Sequence, residues 1–278
     1  VIKGHCEMPQ THQDPIKSPL RIISPETEPG HATAGLLSLW SHRRLLWDFV
    51  ARDLKRRYTG SSIGFFWSVI TPLLELATYT FVFHGLIGVR FQPSGGWANY
   101  ALFLFSGMVT WLALSDGLSQ ATASITSHSH LIKKLSFPTI ILPAHLVLSA
   151  CFNQGIRLSI LVVAVGLMGG GLSWHLAFLP FFMVVQLAFT LGLGLMLATA
   201  QVYFRDTCHM VNAVLLLWMF VTPVFYPAAS YPKKFILLLQ LNPLAHLVGV
   251  YRELVLNHTM PHPNSLIIIL VMSALSLL

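Results

Sequence analysis

Glu75 sits in the middle of a long apolar run, where an ionisable side chain is costly in hydrocarbon unless it is paired or faces a wet cavity. Ser68, Thr71, Glu75, Thr78 and Tyr79 recur at three- and four-residue intervals, the spacing that puts side chains on one helical face. That face should avoid lipid, either by lining a polar pathway or by packing on other helices. Arg157, inside another apolar run, is the matching cation. Counted at about 1.5 Å per residue from the cytoplasmic ends of their runs, the two charges reach similar depths, which predicts a Glu75–Arg157 ion pair.

Other chemistry is less well supported. The 13 histidines raise the question of metal binding, above all His128 with His130 and Cys208 beside His209. Neither arrangement approaches the C-x-x-C or H-E-x-x-H spacing that specifies a site, so no metal is expected. Cys6, Cys151 and Cys208 are an odd number at unrelated spacings and make no disulfide framework. The chain also lacks the G-x-x-x-x-G-K-[ST] loop that cradles nucleotide phosphates, so any ATP hydrolysis must come from another chain.

These side chains need a membrane-spanning frame, and composition supplies one. Only 10% of the 278 residues are charged and 54% are hydrophobic, against roughly 25% charged in soluble domains; the mean hydropathy is +0.66. One membrane domain, residues 36–278, is the simplest organisation. A net charge of +7 can mark nucleic-acid binders, but its placement argues against that partner. Arg43, Arg44, Arg52, Lys55, Arg56 and Arg57 crowd just before the first long apolar run, as basic residues do on the cytoplasmic side of a span. Residues 1–35 read as a polar tail punctuated by Pro9, Pro15, Pro19, Pro25 and Pro29. It is expected to be cytoplasmic and poorly ordered, without the basic and apolar start of a cleavable signal.

Residues 36–58 alternate Leu36, Leu37, Trp40, Leu45, Leu46, Phe49, Val50 and Leu54 with basic residues, which predicts an amphipathic helix resting on the bilayer surface. Spans follow at about residues 63–89, 97–118, 137–167, 174–203 and 210–226; a 30 Å core needs roughly 20 helical residues, and the first has some excess for tilt. Pro72 is tolerable in the first because neighbouring helices can satisfy the freed backbone groups. Lys133 and Lys134 after the second agree with the positive-inside rule. Ala188 with Gly192, and Gly194 with Ala198, have the small-xxx-small spacing that lets helices approach closely, and read as ordinary packing. The fifth span contains Pro223 and is followed by Pro227, Pro232 and Pro243, so residues 227–263 are expected to be re-entrant. Irregular backbone survives at membrane depth only under protein or beside a water-filled cavity, which makes this stretch a candidate outer gate. The last run, Ser265 to Leu278, is about 14 residues and short of a full span. It reads as a sixth span cut short, whose completion would put both ends in the cytoplasm.

Five segments, in order, carry a resemblance. They are RDLKRRYTGSSIGFFWS from Arg52 to Ser68, HLIKKLSFP from His130 to Pro138, YFRD from Tyr203 to Asp206, TPVFY from Thr222 to Tyr226, and LNPL from Leu241 to Leu244. Together they resemble ABC-2 type permeases that export polysaccharides. The resemblance implies an all-α membrane protein, a six-transmembrane-helix ABC-2 (type V exporter) permease with an N-terminal amphipathic interface helix and re-entrant outer gate helices. It implies the membrane subunit of an ATP-driven exporter of lipid-linked glycan, such as O-antigen, capsule or a teichoic-acid-like polymer. It further implies a homodimer with two ABC ATPase subunits that bind the ATP and Mg, in a bacterial inner (plasma) membrane with a cytoplasmic N-terminus. No catalytic residue and no cofactor are expected in this chain.

On that resemblance Arg56, Arg57, His130, Lys133, Lys134, Arg205 and Asp206 are candidates for ATPase coupling, although the two lysines equally serve to fix topology. A glycan needs hydrogen-bonding groups and flat rings for its C–H faces. The face of Ser68, Thr71, Glu75, Thr78 and Tyr79, with Phe83, Trp111, Trp218, Phe220 and Tyr226, is therefore the candidate conduit. Aromatic residues also anchor helices at bilayer interfaces, which suits Trp97, Trp174 and Tyr203 better. The alternatives are an ABC-2 exporter of drugs or other lipids, a membrane-embedded glycan-processing enzyme and a scaffold without transport. The enzyme needs an acid–base cluster that isolated Glu75, Asp116 and Glu253 do not make, and the scaffold needs no polar intramembrane face.

Overall fold

Long apolar runs satisfy their backbone groups internally only as helices, and the computed structural model is helical, without a strand among the residues it describes: 38–58, 64–86, 88, 97–129, 132, 138–167 and 173–277. All of these belong to one packing unit, Ala32–Leu278. The expected tail at residues 1–35, and His130, Lys133 and Lys134, lie outside the described residues.

Helix α1, Arg43–Tyr58, ends in Lys55, Arg56 and Arg57, cations placed where the negative end of the helix dipole favours them. Its apolar side lies on α4, Ile141–Leu167. Val50 is fully buried, Trp47 meets Phe152 edge-on at 5.4 Å, and Phe49 meets His145 at 5.3 Å between ring centroids. Gly64 opens the next element with φ +57, a left-handed conformation that glycine adopts without the Cβ penalty. A 3-10 turn, Gly64–Phe66, leads into α2, Trp67–Thr80, which carries Pro72 and widens into a π-helical turn at Phe81–Leu86.

Helix α3, Trp97–Ser127, is the centre of the bundle: 78% of its apolar window is buried, against 44% for each of the next two long helices. It packs on α2, α4, α5 (Leu179–Tyr203), α6 (Thr207–Val221) and α8 (Pro243–Arg252). It also continues to Ser127, past the point near Leu118 where hydropathy fades. Ala121 and Thr122 there are fully buried, and Thr122 and Ser124 turn their hydroxyls back onto the carbonyls of Leu118 and Ala121, both at 2.6 Å. Small residues that satisfy themselves on their own helix let the neighbours close in. Helix α4 begins only at Ile141, after a turn at Thr139–Ile140 behind Pro138.

Helix α6 stops at Val221 because the residue before a proline is driven out of the α region, and Thr222, ahead of Pro223, is extended at φ −83, ψ 136. Beyond the break lie α7, Ile236–Leu241, then α8 with a π-helical extension at Glu253–Asn257, and α9, Pro263–Leu277. Three described helices are long and apolar enough to cross a membrane, Asn99–Ser127, Ile141–Leu167 and Trp174–Tyr203. They become four if Lys233–Leu241 and Pro243–Asn257, bent by 86°, count as one. Trp67–Phe83, Thr207–Val221 and Pro263–Leu277 are apolar but shorter.

A polar network ties the long helices together at depth. Gln154 donates from Nε2 to Gln186 Oε1 at 2.8 Å and contacts the Tyr251 hydroxyl at 3.0 Å, while Gln186 Nε2 reaches the Thr110 carbonyl at 2.8 Å. All four residues are buried, and interhelical bonds of this kind help hold helices together where hydrocarbon offers no alternative partner. The small residues act sterically. A Cβ on Gly194 would lie 3.1 Å from Ala121 Cβ, and one on Gly192 would collide with the Ser276 backbone of α9. The spacing of small residues is thus used for packing. Gly192→Val should dislodge α9 and cost about 1–3 kcal/mol of overpacking, seen as a lower unfolding midpoint of the purified chain. Gly155→Ala, whose new Cβ meets only Met183 Cε at 3.6 Å, should unfold near wild type, and equal midpoints for the two variants would refute the account.

Candidate functional site

The break after α6 leaves carbonyls without helical partners, and an unsatisfied buried polar group costs several kcal/mol in an apolar medium. Arg252 of α8 fills this need. It donates from Nη1 to the Pro223 carbonyl at 2.7 Å and from Nη2 to Val224 at 2.8 Å, with a longer contact to Phe103 at 3.4 Å. Its guanidinium carbon lies 3.6 Å from the Phe103 ring centroid, a cation–π geometry. Gly107 makes the room, since a Cβ there would stand 2.8 Å from Arg252 Nη2. Tyr100 takes the next carbonyl, Phe225, at 2.9 Å.

Asn242 closes the break from the other side. It caps α8 by accepting from Leu244 N–H at 3.1 Å, accepts Trp218 Nε1–H at 3.0 Å, and donates to Thr222 Oγ1 at 2.9 Å. Thr222 in turn donates to the Trp218 carbonyl at 2.9 Å. The segments 222–226 and 241–244, separate in sequence, form one hydrogen-bonded device. Sequence reading passed over Arg252; a lone cation following the apolar stretch of α8 was the available signal.

The aromatic candidates gather around a ring that was not among them. Phe225, 3% exposed, stacks on Phe83 at 4.6 Å with 12° between planes, and lies 5.5 Å from Tyr79 and 5.9 Å from Phe220. Tyr226 sits beside them, its hydroxyl donating to the Phe220 carbonyl at 2.7 Å and its ring 6.1 Å from Tyr231. Phe220 is 54% exposed and Trp111 only 5%. Trp111 therefore packs in the core of a single chain, edge-on to Trp218 at 6.5 Å.

The charged residues differ from expectation. Arg157 pairs with Asp116 of α3, Nη2 to Oδ2 at 3.3 Å, in place of the predicted direct Glu75–Arg157 bridge. Glu75 stands within Coulombic range of both. Depth counting sets height along a helix but not which way a side chain points around it; α4 packs far more broadly on α3 than on α2, and Arg157 finds its partner there. On the face of Ser68, Thr71, Glu75, Thr78 and Tyr79, Thr71 and Thr78 are exposed and the other three partly buried.

Among the coupling candidates, Arg57 holds Asp53 at 3.0 Å within α1 and donates to Gln120 Oε1 of α3, while Arg56 is exposed. Arg205 and Asp206 are exposed on the turn between α5 and α6. Gln201 braces that turn, donating to the Arg205 carbonyl at 2.8 Å and accepting Cys208 N–H at 2.7 Å. An open apolar groove of about 870 Å³ runs beside it, walled by Met196, Leu197, Phe204, Met210, Val214 and Trp218.

Residues 44–256 match the ABC-2 type transporter family, and the chain belongs to that family. It is 31% identical over 241 residues to the O-antigen export system permease protein RfbA of Myxococcus xanthus, covering 86% of this chain and 90% of the relative. An O-antigen export system permease protein RfbA of Klebsiella pneumoniae is 29% identical over 211 residues, 75% of this chain and 79% of the relative. The polysialic acid transport protein KpsM of Escherichia coli is 23% identical over 208 residues, 74% and 78%.

Arg252→Met should orphan the Pro223 and Val224 carbonyls, at about 1–3 kcal/mol each. The expected result is a lower unfolding midpoint and faster proteolysis after residue 221. An Arg252→Met chain as stable as wild type would show that the clamp is dispensable.

Proposed function

We propose that this chain is the membrane subunit of an ATP-driven exporter that moves a lipid-linked polysaccharide from the cytoplasmic side across a bacterial inner (plasma) membrane. The observation that carries the reading is the match over 86% of this chain and 90% of an O-antigen export permease. The short apolar helices α2, α6 and α9 join α3, α4 and α5 as six spans. The bent α7–α8 pair is the re-entrant outer gate, and α1 and the α5–α6 turn lie on the cytoplasmic side with the N-terminus.

Physical arguments support this arrangement. Thr71 and Thr78 point away from the bundle beside a half-buried Glu75, and hydrocarbon is a poor environment for that stripe. A second copy facing a wet passage covers it, which favours a homodimer with two ATPase subunits that bind the ATP and Mg. Sugar hydroxyls would meet Ser68, Thr71, Glu75, Thr78 and Tyr79, and sugar C–H faces the rings of Phe83, Phe220, Tyr226 and Trp218. Closure of the ATPase pair would press on Arg56, Arg57, His130, Lys133, Lys134, Arg205 and Asp206, and tightly packed helices answer such a push by rocking between discrete arrangements. The Gln201 brace makes the α5–α6 turn stiff enough to transmit force.

Reconstitution with a partner ABC ATPase should give ATP-dependent movement of lipid-linked glycan in proteoliposomes. Normal surface glycan in cells lacking this chain, or ATP-dependent efflux of drugs with no response to glycan, would sink the reading. Arg205→Glu should lower glycan-stimulated ATP hydrolysis about tenfold, equivalent to ~1.4 kcal/mol, without changing the stability of the isolated chain.

A further inference from the structure

Arg157 has one bond made and one left open. Its Nη2 holds Asp116, and its side chain is only 13% exposed, but Nη1 is buried with no hydrogen-bond partner among the described residues. Glu75 mirrors it, with Oε2 buried and equally without a partner. The two groups are within Coulombic range of one another, with Asp116 as the third charge. A buried guanidinium has five N–H donors to satisfy, and leaving a buried ionic donor and acceptor unmatched is among the more costly defects a fold can carry.

The three residues belong to elements of unequal firmness. Asp116 and Arg157 sit on α3 and α4, the most extensively packed helix pair among the described residues. Glu75 sits on α2, which touches its neighbours more sparingly, contains Pro72 and loosens into a π-helical turn at Phe81–Leu86. Oε2 and Nη1 are the open acceptor and the open donor of this charged triad.

We propose that Glu75 is a second, exchangeable counterion for Arg157: a shift of α2 makes and breaks the Glu75–Arg157 bond while Asp116 keeps the guanidinium anchored. Glu75 is then a positioning residue that sets two discrete placements of α2 against a fixed α3–α4 pair. This goes beyond the export reading, because the exchange is a property of the chain alone.

The test measures unfolding midpoints of the full chain in lipid nanodiscs for Glu75→Gln, Asp116→Asn and the double variant, each with Arg157 intact and with Arg157→Met. Glu75→Gln alone should shift the midpoint little, and Asp116→Asn should lower it while Glu75 takes over. The double variant should fall at least about 2 °C further than the sum of the single shifts, and that excess should vanish with Arg157→Met. Additive shifts, an excess that survives without Arg157, or an Asp116→Asn chain that cannot fold because nothing replaces Asp116 would each overturn the proposal. In the reconstituted complex, Glu75→Gln should slow ATP turnover several-fold even without glycan, where losing a sugar contact has no effect, and at unchanged midpoint, which a merely structural residue would not do; unchanged turnover would also overturn it. If wild-type complex shows no glycan-dependent turnover, the export reading fails while the midpoints still decide the exchange.

Discussion

A broken helix inside a membrane protein must still satisfy its backbone, and the rest of this structure is arranged around that requirement. Pro223 ends α6, and the freed carbonyls of Pro223, Val224 and Phe225 are taken by Arg252 and Tyr100. Arg252 reaches them because α8 lies across α3, and α8 is started and capped by Asn242, which also holds Trp218 and Thr222. Gly107 is bare so that the guanidinium can pass. The break therefore couples α3, α6 and α8 and brings Phe225 into the aromatic cluster.

A second constraint acts between helices. Lipid gives no hydrophobic reason for apolar helices to associate, so close approach and shared hydrogen bonds do the work. Gly192 and Gly194 let α9 and α3 come near α5, while Gln154, Gln186 and Tyr251 tie α4, α5 and α8 together. Helices α3 and α4 also pack extensively on one another, and α2, with its polar stripe, lies against both.

Much of the frame was legible in the sequence because hydropathy reports helices directly. The runs that became α3, α4 and α5 follow from composition, whereas the fifth run was expected to continue to residue 226 and α6 stops at Val221, ahead of Pro223. The extent of α3 beyond Leu118 was not legible, because Thr122 and Ser124 read as polar until their hydroxyls are seen folded onto the helix's own carbonyls. Glu75 and Arg157 were recognisable as buried charges in need of partners, yet Asp116 was not recognisable as the partner Arg157 takes, and Arg252 drew no notice despite its burial.

The sequence by itself determined that the chain is a membrane protein of apolar helices, where proline interrupts them, and which segments resemble a known class of permease. These are local properties: hydropathy, periodicity and backbone restriction act within one stretch of chain. Tertiary structure alone decided which carbonyls Arg252 serves, that Asn242 joins two distant segments, that Trp111 turns inward, and that Arg157 binds Asp116 with Glu75 held close. Each of these depends on the rotation of one helix about its axis relative to another, and that angle is set by packing among residues far apart in the chain.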